Sequence, residues 1–543
     1  ADEVTEQECR SSSRVSSVMM FRTLLVSVFL GLQQQGALAA VPADEVTELP
    51  GLVGSLPSKM YSGFLTAGPT KRLHYILAES QNDPTTDPIA FWFNGGPGCS
   101  SMDGFLYEHG PLRFNPYDGK SAPTLSPFTH SWTKLATMVY VEAPVGVGFS
   151  YSTKEDPTSD YQCNDDTTAE DNLMAVQDFF AKFPEYKSNK FYLTGESYAG
   201  IYVPTLAEAI IQAELNVNYT GAALKGIAVG NGCTGDEIGI CAFGSSTQYT
   251  YYTTKYLMQT AFVPDTIKDG ITQNCDMDLW AAGGQPTAQC EAVVAKLDAL
   301  TSPLDTYCVY CDCGQQFPAD GGQPVTSSSL SREQMRMPDN KRKQLEEQQQ
   351  KQKQMQQPDL FEEEVTPNNK DFHPPSSFHA ASRVGTGTSS CIDSDAASAW
   401  LNNETVQKAL HVDVAGVTDW ATCTPAPGWG YSSTRGNLPK DTYPLLVTNI
   451  RVLIYNGDWD VCVPYTDNEA WTTGMGYNIS HAWHSWVSTI NGYRSVGGYA
   501  TTFDVPGPSF QFTTVRGGRH EVPETAPERA YVMMQNFFSE TEL

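Results

Sequence analysis

A serine set between two glycines, in Gly195-Glu196-Ser197-Tyr198-Ala199-Gly200, is the first place in this chain where chemistry can be read from residue types. Glycines permit a turn too sharp for larger side chains, so Ser197 Oγ would stand clear of the backbone. A hydroxyl is a poor nucleophile at neutral or acidic pH. It needs a general base, and the base needs a carboxylate to orient it. Asp460, in YNGDWD, and His520, in GGRHEVP, supply these types in the order Ser, Asp, His found in α/β-hydrolases. Of nine histidines, His520 is chosen for its place after the last strand-like run. Upstream, Asn94-Gly95-Gly96-Pro97-Gly98-Cys99-Ser100-Ser101 would present backbone N–H groups without side-chain obstruction, as an oxyanion hole requires. Taken alone, that loop reads as a tight turn. The serine downstream gives it a role.

Positioning these groups takes strands that end at one edge. Residues 72–78, 89–93, 136–144, 190–194, 224–232 and 450–460 carry β-rich apolar runs. The glycine loop follows the second, Ser197 the fourth and Asp460 the last. Between them, Leu173, Val176, Phe179, Phe180 and Phe183 recur at helical spacing, with Thr168 as the expected cap, and IYVPTLAEAIIQAE does the same after the serine. Strands alternating with helices imply a mostly parallel sheet covered on both faces: an α/β class, α/β-hydrolase fold. Gly146-Val147-Gly148 lacks the third glycine of a dinucleotide-binding turn. HAWHSWVSTINGYRSVGGYATTFDV, turning at Asn491-Gly492, reads as a hairpin, and a helix over 525–538 closes the chain.

The expected organisation is a leader and signal peptide over 1–40, core over 41–235, a cap insertion over 236–317, a low-complexity linker over 318–390 and the remaining core over 391–543. Residues 19–40 have the basic, apolar and Ala-x-Ala succession of a secretory signal, and 1–18 read as sequence preceding a start at Met19 or Met20. The linker is too poor in large apolar groups to offset its ordering entropy. It reads as an exposed loop, with Lys341-Arg342-Lys343 a protease target. A balance of 34 basic to 62 acidic residues excludes ordinary nucleic-acid binding and suits an acidic compartment. No run is long enough for a membrane span. Twelve cysteines after the leader, and sequons at Asn218, Asn403 and Asn478, agree with the secretory route, ending outside the cell or in a lysosome- or vacuole-like compartment.

The elements FWFNGGPGCSS, MVYVEAPVGVGFSYS, FYLTGESYAGIYVP, LKGIAVGNG, YNGDWDVCVP and HEVP resemble the serine carboxypeptidase family in order and spacing, from about Leu49 to the end except 236–390. The resemblance implies Ser197, Asp460 and His520 as the triad, with the N–H groups of Gly96 and Tyr198 as the oxyanion hole. Asn94, the Gly95 N–H and Glu196 would bind the substrate's terminal carboxylate, supported by Trp92 and Glu108. Glu196 can donate there only when protonated; its alternative reading is a carboxylate at a helix start. Glu521 is placed near the pocket of the departing residue. Arg519 stands where the family usually has a small residue. The implied disulfides are Cys99 with Cys423, and one of Cys308, Cys311 or Cys313 with Cys391. Cys233 with Cys241 is a short-loop expectation. The cluster CVYCDC has zinc-like spacing as its alternative, and His481 with His484 lacks an acidic partner. No cofactor and no metal are expected. Partners are peptide or protein C-termini, with a homodimer left open. The competing activities are acyl transfer to an alcohol, disfavoured by Glu196, and a non-catalytic binding or protective role, disfavoured by a complete triad.

Overall fold

The computed structural model describes residues 41–242, 246–311, 394–417, 419–490 and 492–543. The signal peptide, the linker, Cys313, Cys391 and Asn491 lie outside them.

Apolar runs read as strands become one 12-stranded sheet. Its labelled strands are β1 (Met60–Thr66), β2 (Lys71–Ala78), β3 (Ile89–Phe93), β4 (Thr137–Val141), β5 (Phe191–Glu196), β6 (Leu224–Gly230), β7 (Arg451–Gly457), β8 (Asn478–Ile490), β9 (Tyr493–Asp504) and β10 (Phe510–Val515). The order is β1-β2-β4-β3-β5-β6-β7-β10-β9-β8. The six strands from β4 to β10 in that order pair in parallel, and the flanking strands pair antiparallel.

Successive side chains of a strand point to opposite faces, and in the central strands both faces are buried. From β3, Ile89, Phe91 and Phe93 join one apolar cluster with Leu193, Ile227 and Ile454. Ala90 and Trp92 join the other, with Tyr192, Ala228 and Leu453. Helices α1 (Asp165–Lys182) and α2 (Ala199–Leu215) cover the first face. The C-terminal helix Pro527–Phe538 covers the second, where Phe537 and Phe538 meet Tyr192 edge-on. Burial on both sides is why these strands read as continuous apolar runs.

One local expectation is corrected. Helix α1 is capped by Asn164 rather than Thr168: its side chain accepts from Thr167 N while the Thr167 hydroxyl returns to the Asn164 amide. Asn is the stronger cap, and its extended backbone lets the chain enter from a strand. The insertion is a set of helices, among them Ser246–Leu257, Asp265–Asn274 and Ala288–Thr301, whose Tyr252, Ile271 and Val294 join the core cluster.

Disulfides link Cys99 to Cys423, Cys233 to Cys241, Cys275 to Cys290 and Cys308 to Cys311. Cys313 and Cys391, the pair of the expected set that this leaves, lie outside the described residues, whereas Cys308 and Cys311 bond each other. A tight turn brings their Cα atoms to 5.4 Å, within ordinary bridging range.

Candidate active site

Four neighbouring parallel strands, β5, β6, β7 and β10, end at the same edge of the sheet, and each delivers one polar residue there. Ser197 follows β5, Asn231 follows β6, Asp460 follows β7 and His520 follows β10.

Ser197 is half-buried at φ 60°, a left-handed conformation that costs a side-chain-bearing residue energy and is sustained only by its surroundings. The surroundings are tight. Ser197 N donates to Gly230 O at 3.0 Å, and its carbonyl accepts from Gly200 N at 2.9 Å and Cys233 N at 3.0 Å. A Cβ on Gly200 would lie 2.4 Å from Cys233 O. The glycine loop approaches as closely: a Cβ on Gly95 would lie 2.3 Å from Tyr198 N and 2.8 Å from Ser197 Cβ. Gly95 and the Tyr198 amide are thereby brought alongside the serine.

His520, 2 % exposed, has Nδ1 at 2.7 Å from Asp460 Oδ2. Asp460 is fully buried and is held by Asn231 Nδ2 at 2.6 Å and by the N–H groups of Cys462 at 2.7 Å and Val463 at 3.1 Å. Several donors on one carboxylate fix its direction. His520 is fixed from the insertion side, where its N–H donates to Tyr307 O at 2.9 Å and its ring meets the Tyr307 ring edge-on at 4.6 Å.

Beside the serine lies a second polar group. Asn94 Nδ2 donates to Glu196 Oε1 and Glu108 Oε1, both at 3.0 Å, while Asn94 Oδ1 accepts from Trp92 Nε1 at 2.7 Å and Gly104 N at 3.1 Å. The amide is therefore oriented as a donor to both carboxyls. Burial, then the negative charges of Glu108, Glu521 and Asp103, hold Glu196 well above the usual carboxyl range. Burial and Asp103 do the same to Glu108. Both carboxyls therefore keep their protons to higher pH than an exposed carboxyl does, and a protonated carboxyl can donate a hydrogen bond.

Glu521 is not an open carboxylate. It is 3 % exposed and its Oε2 lies 2.9 Å from Arg519 Nε. Asn218, Asn403 and Asn478 are all exposed. His484 Nε2 lies 2.9 Å from Leu543 O, away from the serine's strand. Among the described residues, two groups have donor atoms within 4.8 Å of one another, the spacing a metal ion needs: Asp460, Cys462 and His520, and Asp103, Glu108 and Glu196. In the first, Asp460 and His520 already bond each other. In the second, Asn94 occupies two of the three.

Sequence reasoning passed over Asn231, Tyr307 and Asp103. Asn231 had a signal, an asparagine directly after a buried strand, and it takes φ 40°, tolerable for its short polar side chain. Tyr307 had none, since its contacts cross from the insertion.

A sheet with a parallel centre, a strained serine turn after one strand and a histidine–carboxylate pair after two others define an α/β-hydrolase. The chain belongs to the serine carboxypeptidase family, hydrolases of the exopeptidase class, whose model matches residues 50–540. It is 32% identical to serine carboxypeptidase-like 20 of Arabidopsis thaliana, over 97% of this chain and 98% of the relative. It is 31% identical to the lysosomal protective protein of Mus musculus, over 92% and 94%. The crystal structure of a prohormone-processing carboxypeptidase from Saccharomyces cerevisiae shares the fold, with a TM-score of 0.60 at 19% identity over 92% of this chain and 96% of that one. Among the described residues, no helix is long and apolar enough to cross a membrane.

Proposed function

We propose that this protein removes C-terminal residues from peptides through an acyl-enzyme, most effectively at acidic pH. Ser197 Oγ attacks the scissile carbonyl as His520 takes its proton, and Asp460 orients and stabilises the resulting imidazolium. The N–H groups of Gly96 and Tyr198 receive the oxyanion. Protonated His520 gives its proton to the departing amine. Water, deprotonated by the same imidazole, then frees the acyl group and restores Ser197.

The observation that carries the exopeptidase assignment is the amide of Asn94 aimed at two carboxyls, Glu196 and Glu108, one residue from the nucleophile. A terminal carboxylate arriving there meets the Asn94 amide, the Gly95 N–H and the Glu196 O–H, three donors of the kind an anion requires. Trp92 and Glu108 hold that arrangement from behind. The exposed sequons and the apolar run after Met20 support passage through the secretory route, and relatives that include a lysosomal protein support an acidic destination.

The deciding experiment is mass spectrometry of a peptide ladder incubated with the purified protein at several pH values, with and without an added alcohol. Stepwise loss of C-terminal residues is expected. Ester formation with the alcohol in place of hydrolysis would give the protein an acyltransferase activity, and an unchanged ladder would leave it a binding role.

A further inference from the structure

The pocket proposed to hold an anion is walled by carboxyl groups. Carboxylate oxygens of Asp103, Glu108 and Glu196 lie within 4.8 Å of one another. Behind them, Glu521 and Glu524 act electrostatically on Asp103 and Glu108, and Glu521 reaches Glu196. Five acidic side chains would repel a substrate whose defining feature is negative charge, unless protons and cations offset them.

Two guanidinium groups, Arg113 part-buried and Arg519 buried, face this cluster. Arg113 donates through Nη2 to the carbonyls of Glu108 at 2.6 Å and Pro523 at 3.0 Å, and lies over the Phe128 ring at 3.8 Å. Its bonds go to backbone. Arg519, 5 % exposed and next to His520, instead meets carboxylates: Nε lies 2.9 Å from Glu521 Oε2 and Nη2 bonds Glu524 Oε2. Its amide donates to Thr525 Oγ1 at 2.9 Å, tying its backbone to the same turn. A planar guanidinium presents donors to two carboxylates at once and keeps its charge at any relevant pH.

Resting on the exopeptidase reading above, we propose that Arg519 is a positioning residue for substrate charge, an internal counter-cation that offsets Glu521 and Glu524 so that the Asn94–Glu196 site accepts a terminal carboxylate. It touches no substrate atom. Its effect passes through the field of the two glutamates, which charges in a poorly screened interior carry over several ångströms. The groups that face it are Glu521 and Glu524 on its own segment, Asp103 and Glu108 on the glycine-loop side, and, beyond them, Glu196 and Arg113.

Matched peptides with a free and an esterified C-terminus test this, assayed near neutral pH. In Arg519→Gln, KM for the free acid should rise about tenfold, the effect of one uncancelled charge at an effective dielectric constant of about 20. KM for the ester should move much less. Arg519→Lys should recover most of the loss, and so should the double variant Arg519→Gln with Glu521→Gln, which removes a carboxylate left without its cation. A structural role alone predicts an equal rise for both substrates and a double variant worse than either single one; those results would overturn the proposal. Should Arg519→Gln fail to fold, Glu521→Gln alone keeps the test alive, because it leaves Arg519 with surplus charge and should lower KM for the free acid only. An unchanged KM there counts against the counter-cation. Wild-type enzyme that binds acid and ester alike would remove the Asn94–Glu196 reading itself, whereas discrimination that ignores residue 519 removes only the role of Arg519.

Discussion

At the scale of single residues, burial separates two constellations that distances alone would confuse. Ser62 Oγ lies 2.9 Å from His74 Nε2, and His74 Nδ1 lies 2.8 Å from Glu142 Oε2, which is serine–histidine–carboxylate spacing. All three are sealed from solvent, and the Ser62 hydroxyl donates to Leu410 O at 2.6 Å, so its proton is not offered to the imidazole. Glu142 also accepts from Ser100, Phe149 N and Trp420 Nε1, which makes the group a brace for the end of the glycine loop. An organophosphorus reagent should therefore label Ser197 alone, and peptide mapping of the Ser197→Ala protein should find no label. That variant should lose on the order of a million-fold in kcat while keeping its fold. Ser62→Ala should cost about 1–3 kcal/mol of stability by stranding buried partners. Its kcat should stay near wild type; a collapse of kcat without loss of stability would make Ser62 catalytic after all. Glu196 carries a sharper prediction. With its carboxyl held above the usual range, the proton it uses to bind an anion is present in acid and lost as pH rises, so KM for free-acid peptides should climb toward neutral pH. Glu196→Gln, a donor at every pH, should flatten that climb, and steady-state kinetics showing the same pH dependence in both proteins would take Glu196 out of carboxylate recognition.

At the scale of elements, the site is a set of strand ends clamped by segments distant in sequence. Asn231, held by Gly457 N at 3.0 Å and by the Tyr455 carbonyl through its own amide at 2.8 Å, joins the end of β6 to that of β7 and aims a donor at Asp460. Replacing it with alanine removes one bond to a buried carboxylate, worth about 1.5–3 kcal/mol. If that carboxylate matters most when His520 is charged, kcat should fall about tenfold to a hundredfold with KM little changed, and a loss confined to KM would contradict the orienting role. From the insertion, residues 306–309 run against the same loops: Thr306 O accepts from Val461 N at 2.9 Å and Val309 N donates to Trp459 O at 3.0 Å. These clamps mark the limit of what the sequence discloses. The place of Ser197, Asp460 and His520 at strand ends was legible because each follows an apolar run, and a strand buried on both faces announces its own end. The helices of 246–301 were not, because their apolar residues pack partly on one another, as Tyr251 does on Trp280, and leave a less regular stripe. The pairing of Cys308 with Cys311 was not legible because cysteine spacing carries no information about which partner folding brings near. Tyr307 was invisible because what holds His520 is largely its carbonyl, a group every residue owns.

At the scale of the whole molecule, the same physics that prepares Glu196 recurs in several buried and part-buried acids, and it fixes how stability must vary with pH. Burial pushes Asp103 up to about 8, Asp467 up to about 7, and Asp458 up to about 6, against roughly 3.9 for aspartate in an unfolded chain. Glu196 and Glu108 move the same way. Between about pH 4 and pH 8 the folded chain thus holds protons that the unfolded chain has released. A group raised in this way contributes its full stability below the unfolded value and loses it as pH rises through the folded one, so stability should decline across that window, by about 1.4 kcal/mol per pH unit for each proton held only in the folded state. One opposing group is His109, which burial keeps neutral and which favours unfolding as pH drops below about 6.5. A single histidine is outnumbered by the raised carboxyls. Thermal unfolding of the Ser197→Ala protein, chosen to prevent self-digestion, should therefore show a Tm at pH 5 at least about 5 °C above that at pH 8. Asp467→Asn isolates one contribution away from the catalytic loops. Asp467 is 1 % exposed and, among the described residues, accepts only from Ile240 N at 2.9 Å, so an amide there holds the neutral form permanently and should make the curve shallower. A Tm that rose from pH 5 to pH 8, or a slope untouched by Asp467→Asn, would refute the assignment of these acids as protonated in the folded chain.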